Sequence, residues 1–186
     1  MVKKVYVDMD GVLVDLSRTL ALYDGYEDQT TWVMDKIESG ISIWDMYFQS
    51  MERHIDNGVF KNADPMENYI DLICVLLDIR DAYPDVQFEI LSSKCSVSYS
   101  DKIEEQKRSW LERNVSKFHL FSDYHFTTSG NAKLEFLKND PDAILIDDNK
   151  RLLGQGYDHQ LVLYRTINGV TNQLKSLFPI EELEEV

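Results

Sequence analysis

Positive charge is scarce in this sequence: 19 lysines and arginines stand against 33 aspartates and glutamates, a formal net charge of −14 at pH 7. A surface of that sign repels extended polyanions, which argues against stable binding of duplex or long single-stranded nucleic acid. A small phosphorylated ligand remains open, because one metal ion and one or two lysines can offset its charge locally. Long apolar runs are missing too. No stretch approaches the roughly 20 residues of a membrane-spanning helix. The opening MVKKVYVDMD enters a strand-like segment, without the apolar stretch and cleavage site of a secretion signal. Cysteine is limited to Cys74 and Cys95, which have no metal-ligand spacing. The expectation is a reduced, cytoplasmic protein with no membrane partner, and nothing in the composition bars a homodimer.

What is present is enough for a core. The 186 residues are 44% hydrophobic, which suits one compact domain with a modest insertion. Lys3 to Asp8, Val86 to Leu91, Ala143 to Ile146 and Gln160 to Tyr164 read as short strands, with Phe118 to Phe121 as a fifth. Helices are expected between them. Asp64-Pro65-Met66-Glu67 offers an N-cap, a proline at the first helical position and a capping glutamate ahead of the apolar run Ile70 to Ile79. Ser100 to Asn114 and Asn131 to Lys138 also read as helical. This alternation predicts an α/β fold, a doubly wound and mostly parallel sheet with its site at the carboxyl ends of the strands. Residues 16–63 carry Trp32, Trp44, Tyr47, Phe48 and Phe60 but no clear strand, and read as a small helical cap inserted after the first strand. Residues 1–15 and 64–186 then form the core. The end, Glu181-Glu182-Leu183-Glu184-Glu185, reads as a solvated acidic tail.

Four pieces carry chemistry. Asp8-Met9-Asp10-Gly11 leaves the first strand with two carboxylates at i and i+2, on one side of the chain, and a glycine that lets the backbone turn beside a ligand. One carboxylate can attack phosphorus while its neighbour handles the leaving group's proton. Ile90-Leu91-Ser92-Ser93 ends a strand in two hydroxyls suited to phosphate oxygens. Lys133, near a helix start, can neutralise a nucleophile and a phosphoryl group. Ile146-Asp147-Asp148 ends an apolar strand in paired carboxylates, an arrangement that calls for a cation or a partner. Mg²⁺ takes such oxygen ligands and keeps several waters. Each piece alone is also what an ordinary strand end or helix cap looks like, and their order and placement are what add up.

Acid pair, hydroxyl, lysine and acid pair in that order resemble the haloacid dehalogenase superfamily of phosphatases. The resemblance implies that Asp8 is the phosphorylated nucleophile and Asp10 the acid/base. It puts the second-motif hydroxyl on Ser92, the third-motif lysine on Lys133, and the metal-binding pair on Asp147 and Asp148. Lys107, Lys117 and Lys138 are competing lysines for the third motif. Asp8 to Asp15, DMDGVLVD, more narrowly resembles the first motif of the 5'(3')-deoxyribonucleotidases. Ser92-Ser93 matches their hydroxyl pair. Lys107, three residues before Trp110, matches a phosphate-contacting lysine, and Phe60 with Asp64-Pro65 matches an aromatic residue and acidic-Pro step.

The resemblance implies a deoxynucleoside monophosphate substrate and in-line attack by Asp8, followed by hydrolysis of the aspartyl-phosphate with Asp10 activating water. Mg²⁺ would be held by Asp8, the Asp10 backbone carbonyl, Asp147 and waters, with Asp148 either a ligand or hydrogen-bonded behind them, and Trp32, Trp44, Phe48 and Phe60 are candidates for stacking on the base. Alternative readings are a phosphatase of a sugar phosphate, of phosphoserine or of a polynucleotide 3' end. A phospho-accepting regulatory receiver domain is the alternative from another class, although receivers place the phosphoacceptor on a middle strand, which here ends in Ser92.

Overall fold

A computed structural model describes residues 2–95 and 98–179. The acidic run Glu181 to Glu185 lies outside the described residues. Five parallel strands form one sheet in the order β3-β2-β1-β4-β5. They are β1 (Lys4–Val7), β2 (Gln87–Ser93), β3 (Asp123–Thr127), β4 (Ala143–Asp147) and β5 (Leu161–Leu163). Helices α1 (Leu16–Tyr23), α2 (Gln29–Glu38) and α3 (Ile43–His54) follow β1. Of the remaining helices, α4 (Tyr69–Ala82) leads into β2, while α5 (Ser100–Asn114), α6 (Leu134–Asn139) and α7 (Ile167–Leu177) follow β2, β3 and β5. The expected doubly wound, parallel α/β fold is what the chain adopts. Among the described residues no helix is long and apolar enough to cross a membrane.

Strand alternation assigns the two faces of the sheet. Val5, Val7, Phe88, Ile90, Ile144 and Ile146 point into a core shared with α4, α5 and α7, through Leu72, Leu76, Trp110, Leu111, Val170 and Leu174. Tyr6, Leu91, Ala143 and Leu145 point the other way, against Leu134 and Leu137 of α6. A third cluster belongs to the α1–α3 bundle: Leu20, Ala21, Trp32, Met46, Met51, Ile55, Val59 and Phe60, joined by Ile103 of α5. Gln106 ties the bundle down. Its amide accepts from the Phe60 backbone N–H (3.1 Å) and donates to the Ile55 carbonyl (2.6 Å).

Two sequence expectations shift. The fifth strand is not at 118–121 but at 123–127, because residues 116–118 form a 3₁₀ turn and His119 takes a left-handed conformation (φ 49°). The Asp64-Pro65 step does not start a helix. Asp15 N–H donates to the Asp64 carbonyl and Met66 N–H to the Leu13 carbonyl, both at 2.9 Å. Proline, with no N–H to lose, sits between these two bonds in an antiparallel bridge with Val14. The chain's exit to the bundle and its return are therefore stitched together, and α4 begins only at Tyr69.

Candidate active site

Strand register brings the acidic residues together. Val7 pairs with Ile146, so Asp8 and Asp147 leave adjacent strands side by side. One carboxylate oxygen each from Asp8, Asp147 and Asp148 lie within 4.8 Å of one another. Gly11 completes the turn with φ +77°, and a Cβ there would stand 2.3 Å from Asp148 Oδ2. Only a glycine leaves room for that carboxylate. Asp8 is further held by the Met9 N–H, which donates to its Oδ1 (2.7 Å).

Two buried lysines enter the site from opposite faces of the sheet, one bonded to this cluster and the other to Asp10. Lys133 precedes α6 on the face of Tyr6 and Leu145, and its ammonium meets Asp8 Oδ2 and Asp147 Oδ2, both at 2.7 Å. Lys107 comes from α5 on the face of Phe88 and Ile90, to which alternation also assigns Ser92. Its Nζ donates to Ser92 Oγ (3.0 Å), to the Ser93 carbonyl (2.7 Å) and to Asp10 Oδ2. The Asp10 side chain thus turns to Lys107, and its Oδ1 is buried with no partner among the described residues. Of the three competing lysines Lys107 is thus at the site, whereas Lys117 sits over the Phe118 ring and Lys138 faces Glu135 at 3.7 Å in solvent.

Charge crowding shows in the acidities. Burial first, then Asp8, pushes the Asp147 carboxyl up to about 6 against the pull of Lys133. Burial, Asp8 and Asp147 push Asp148 up to about 7. The Asp10 carboxyl is also raised, by burial and by Asp8, with Lys107 opposing. Burial alone would lower Lys133, but Asp8 and Asp147 outweigh it and hold the ammonium charged. Three hard carboxylate ligands that repel one another fit a divalent cation with oxygen preference, as Mg²⁺ is. Asp8, Asp147 and Asp148 are the residues that could hold it.

The aromatic candidates divide. Trp32 is fully buried and donates its indole N–H to Asp24 Oδ2 (2.9 Å), and Phe60 is buried in the bundle cluster. Both are packing residues rather than open stacking platforms, because their rings are enclosed with Leu20, Met46, Met51 and Ile55 in the interior of the bundle. Trp44 and Phe48 lie one turn apart on α3 and are exposed at 59% and 42%. The Arg151 guanidinium, four residues beyond Asp147, stacks 4.4 Å from the Trp44 ring centre. Tyr47, on the turn between them, bonds Ser17 Oγ (2.5 Å), and its phenol is raised by burial and by the nearby charges of Asp15 and Asp148. Arg151, on the Trp44 ring, and Tyr47, within reach of the Asp148 charge, are residues that the motif reading did not single out. Their only sequence signals were distance from Asp147 and helical spacing from Trp44. Ser92 is fully buried beneath Lys107, and the Ser93 hydroxyl accepts from the Cys95 N–H (3.1 Å) in its own turn.

No protein-family model matches the chain, and no curated protein matches it in sequence. Solved structures do. A hydrolase from Streptococcus pneumoniae superposes with a TM-score of 0.51 at 16% identity, covering 96% of this chain and 99% of that one. L-2-haloacid dehalogenase from Xanthobacter autotrophicus gives 0.51 at 13% identity, over 100% of this chain and 92% of the other. At such identities the likeness is one of fold: the chain shares the α/β, Rossmann-like architecture of these hydrolases.

Proposed function

We propose that this protein is a Mg²⁺-dependent phosphomonoester hydrolase of the haloacid dehalogenase superfamily, with Asp8 as nucleophile and deoxynucleoside monophosphates as substrates. The observation that carries the reading is the convergence of Asp8, Asp147 and Asp148 at one strand edge, with Lys133 bonded to two of them. Mg²⁺ bound by the three carboxylates would offset charge on the phosphoryl oxygens and on Asp8 itself. Asp8 forms a bond to phosphorus as the bond to the leaving oxygen breaks. That oxygen keeps the electron pair and takes a proton from Asp10, whose carboxyl pKa is raised by burial. Water then attacks the aspartyl-phosphate, Asp10 takes its proton, and inorganic phosphate leaves with Asp8 regenerated.

A carbon–halogen bond is the alternative target, given the dehalogenase of like fold. The reacting carbon carries no anionic oxygens for a cation to bridge to the nucleophile, so three mutually repelling carboxylates favour the phosphate reading. The nucleotide assignment rests on the DMDGVLVD resemblance and on exposed Trp44 and Phe48, aromatic surfaces available to a base. The test is phosphate release from deoxy- and ribonucleoside monophosphates, sugar phosphates and phosphoserine, with Mg²⁺ or EDTA. Mg²⁺-dependent release, greatest from deoxynucleotides, is expected. Equal rates on sugar phosphates would remove the nucleotidase assignment, and halide release without phosphate release would remove the phosphatase.

A further inference from the structure

The two active-site lysines differ in what their ammonium groups have left to give. An ammonium has three N–H donors. Lys107 meets three protein acceptors, Ser92 Oγ, the Ser93 carbonyl and Asp10 Oδ2, and its side chain is 0% exposed. Lys133 meets two, Asp8 and Asp147, among the described residues. The sequence resemblance implied phosphate contact for Lys107. With its donors engaged, that lysine has none to offer, whereas Lys133 retains one.

Asp10 completes the argument. Its Oδ2 is taken by Lys107, while Oδ1 is buried without a partner. A buried oxygen with no bond is costly unless a ligand supplies one. The α5 backbone behind Lys107 is itself immobilised: Gln106 is bonded to the Phe60 and Ile55 backbones, and Trp110 Nε1 to the Ala63 carbonyl at 2.8 Å. A lysine so anchored sets the rotation of the carboxylate it holds.

We propose that Lys107 is a positioning residue for Asp10 rather than a phosphate ligand: it pins Oδ2 so that Oδ1 faces the leaving-group oxygen. The inference rests on the phosphatase reading above. In the first step Oδ1 gives its proton to that oxygen as the P–O bond breaks, and Lys107 keeps all its own protons. Phosphate affinity then resides with Lys133 and the metal.

The experiment compares wild type, Lys107→Met, Asp10→Asn and the double variant on an alkyl phosphate and on p-nitrophenyl phosphate, with inorganic phosphate as inhibitor. Leaving-group protonation is worth about a hundredfold or more where it is needed. Lys107→Met should therefore slow the alkyl phosphate about a hundredfold more than the activated ester, with inhibition by inorganic phosphate unchanged. Lys107→Met leaves Asp10 Oδ2 without its donor and is at risk of misfolding. The double variant removes both partners of that bond, and should be no slower than Asp10→Asn alone on either substrate. Equal loss on both substrates with about tenfold weaker phosphate inhibition, the value of one charged hydrogen bond, would overturn the proposal, as would a double variant well below Asp10→Asn. An inactive wild type would instead overturn the phosphatase reading, and this inference with it.

Discussion

Asp148→Asn should stabilise the metal-free protein at alkaline pH, and the size of the effect follows from its surroundings. The Asp148 carboxyl rises from an ordinary 3.8 to about 7 in the fold, through burial and the charges of Asp8 and Asp147. A carboxyl with a raised folded value binds its proton more tightly in the native state. Stability is therefore intact below about pH 4, falls as pH rises towards 7, and stays reduced above that. The difference of about 3 units corresponds to about 4 kcal/mol as an upper bound. Water and counterions reaching this half-buried group reduce it to about 2 kcal/mol. Asparagine keeps the shape and removes the charge. For a chain of this size, about 2 kcal/mol is roughly 4–8 °C in Tm, measured by calorimetry in EDTA at pH 8. The gain should vanish near pH 4.5. Mg²⁺ should raise the Tm of wild type more than that of the variant, because the cation relieves the same repulsion. A lower Tm for Asp148→Asn in EDTA at pH 8, or a gain independent of pH, would refute the reasoning.

Asp8→Asn should abolish phosphate release while circular dichroism shows an intact fold, since an amide is a poor nucleophile; turnover above a tenth of wild type in a clean preparation would remove Asp8 from that role. Gly11→Ala forces a Cβ to within 2.3 Å of Asp148 Oδ2 at positive φ; a loss of about 1–3 kcal/mol in urea unfolding and a higher Mg²⁺ requirement are expected. Trp32→Ala should lower stability by about 3–5 kcal/mol, with hydrogen exchange accelerating first in α1–α3; a change under 1 kcal/mol would contradict its burial there. Trp44→Ala should cut the kcat/KM advantage of nucleotides over sugar phosphates by about tenfold, the value of one base–aromatic stack. An unchanged ratio would place the base elsewhere.

Local signals in the chain carried the sheet and the acidic half of the site. Short β-branched runs separated by helical stretches specify strands that hide both faces, and the carboxylates follow directly at their ends, so Asp8 and Asp147 were legible from pattern alone. The pairing of β1 with β4 and its register, with Val7 opposite Ile146, then set them side by side. The Asp64-Pro65 step misled for a local reason. Its capping sequence is genuine, but a non-local pairing with Leu13 to Asp15 satisfies the same backbone groups and wins.

Tertiary structure alone decided what depends on distance in space. Nothing in the spacing of Lys107 and Lys133 reveals that they arrive from opposite faces of one sheet, one bonded to Asp10 and the other to Asp8 and Asp147. Composition likewise marked residues 16–63 as aromatic-rich without ranking the rings. Packing sorted them, burying Trp32 and Phe60 where the bundle needed volume and leaving Trp44 and Phe48 on its exposed turn. Charge and strand pattern are properties of neighbours along the chain, whereas which lysine is saturated and which ring is open depends on contacts between distant segments.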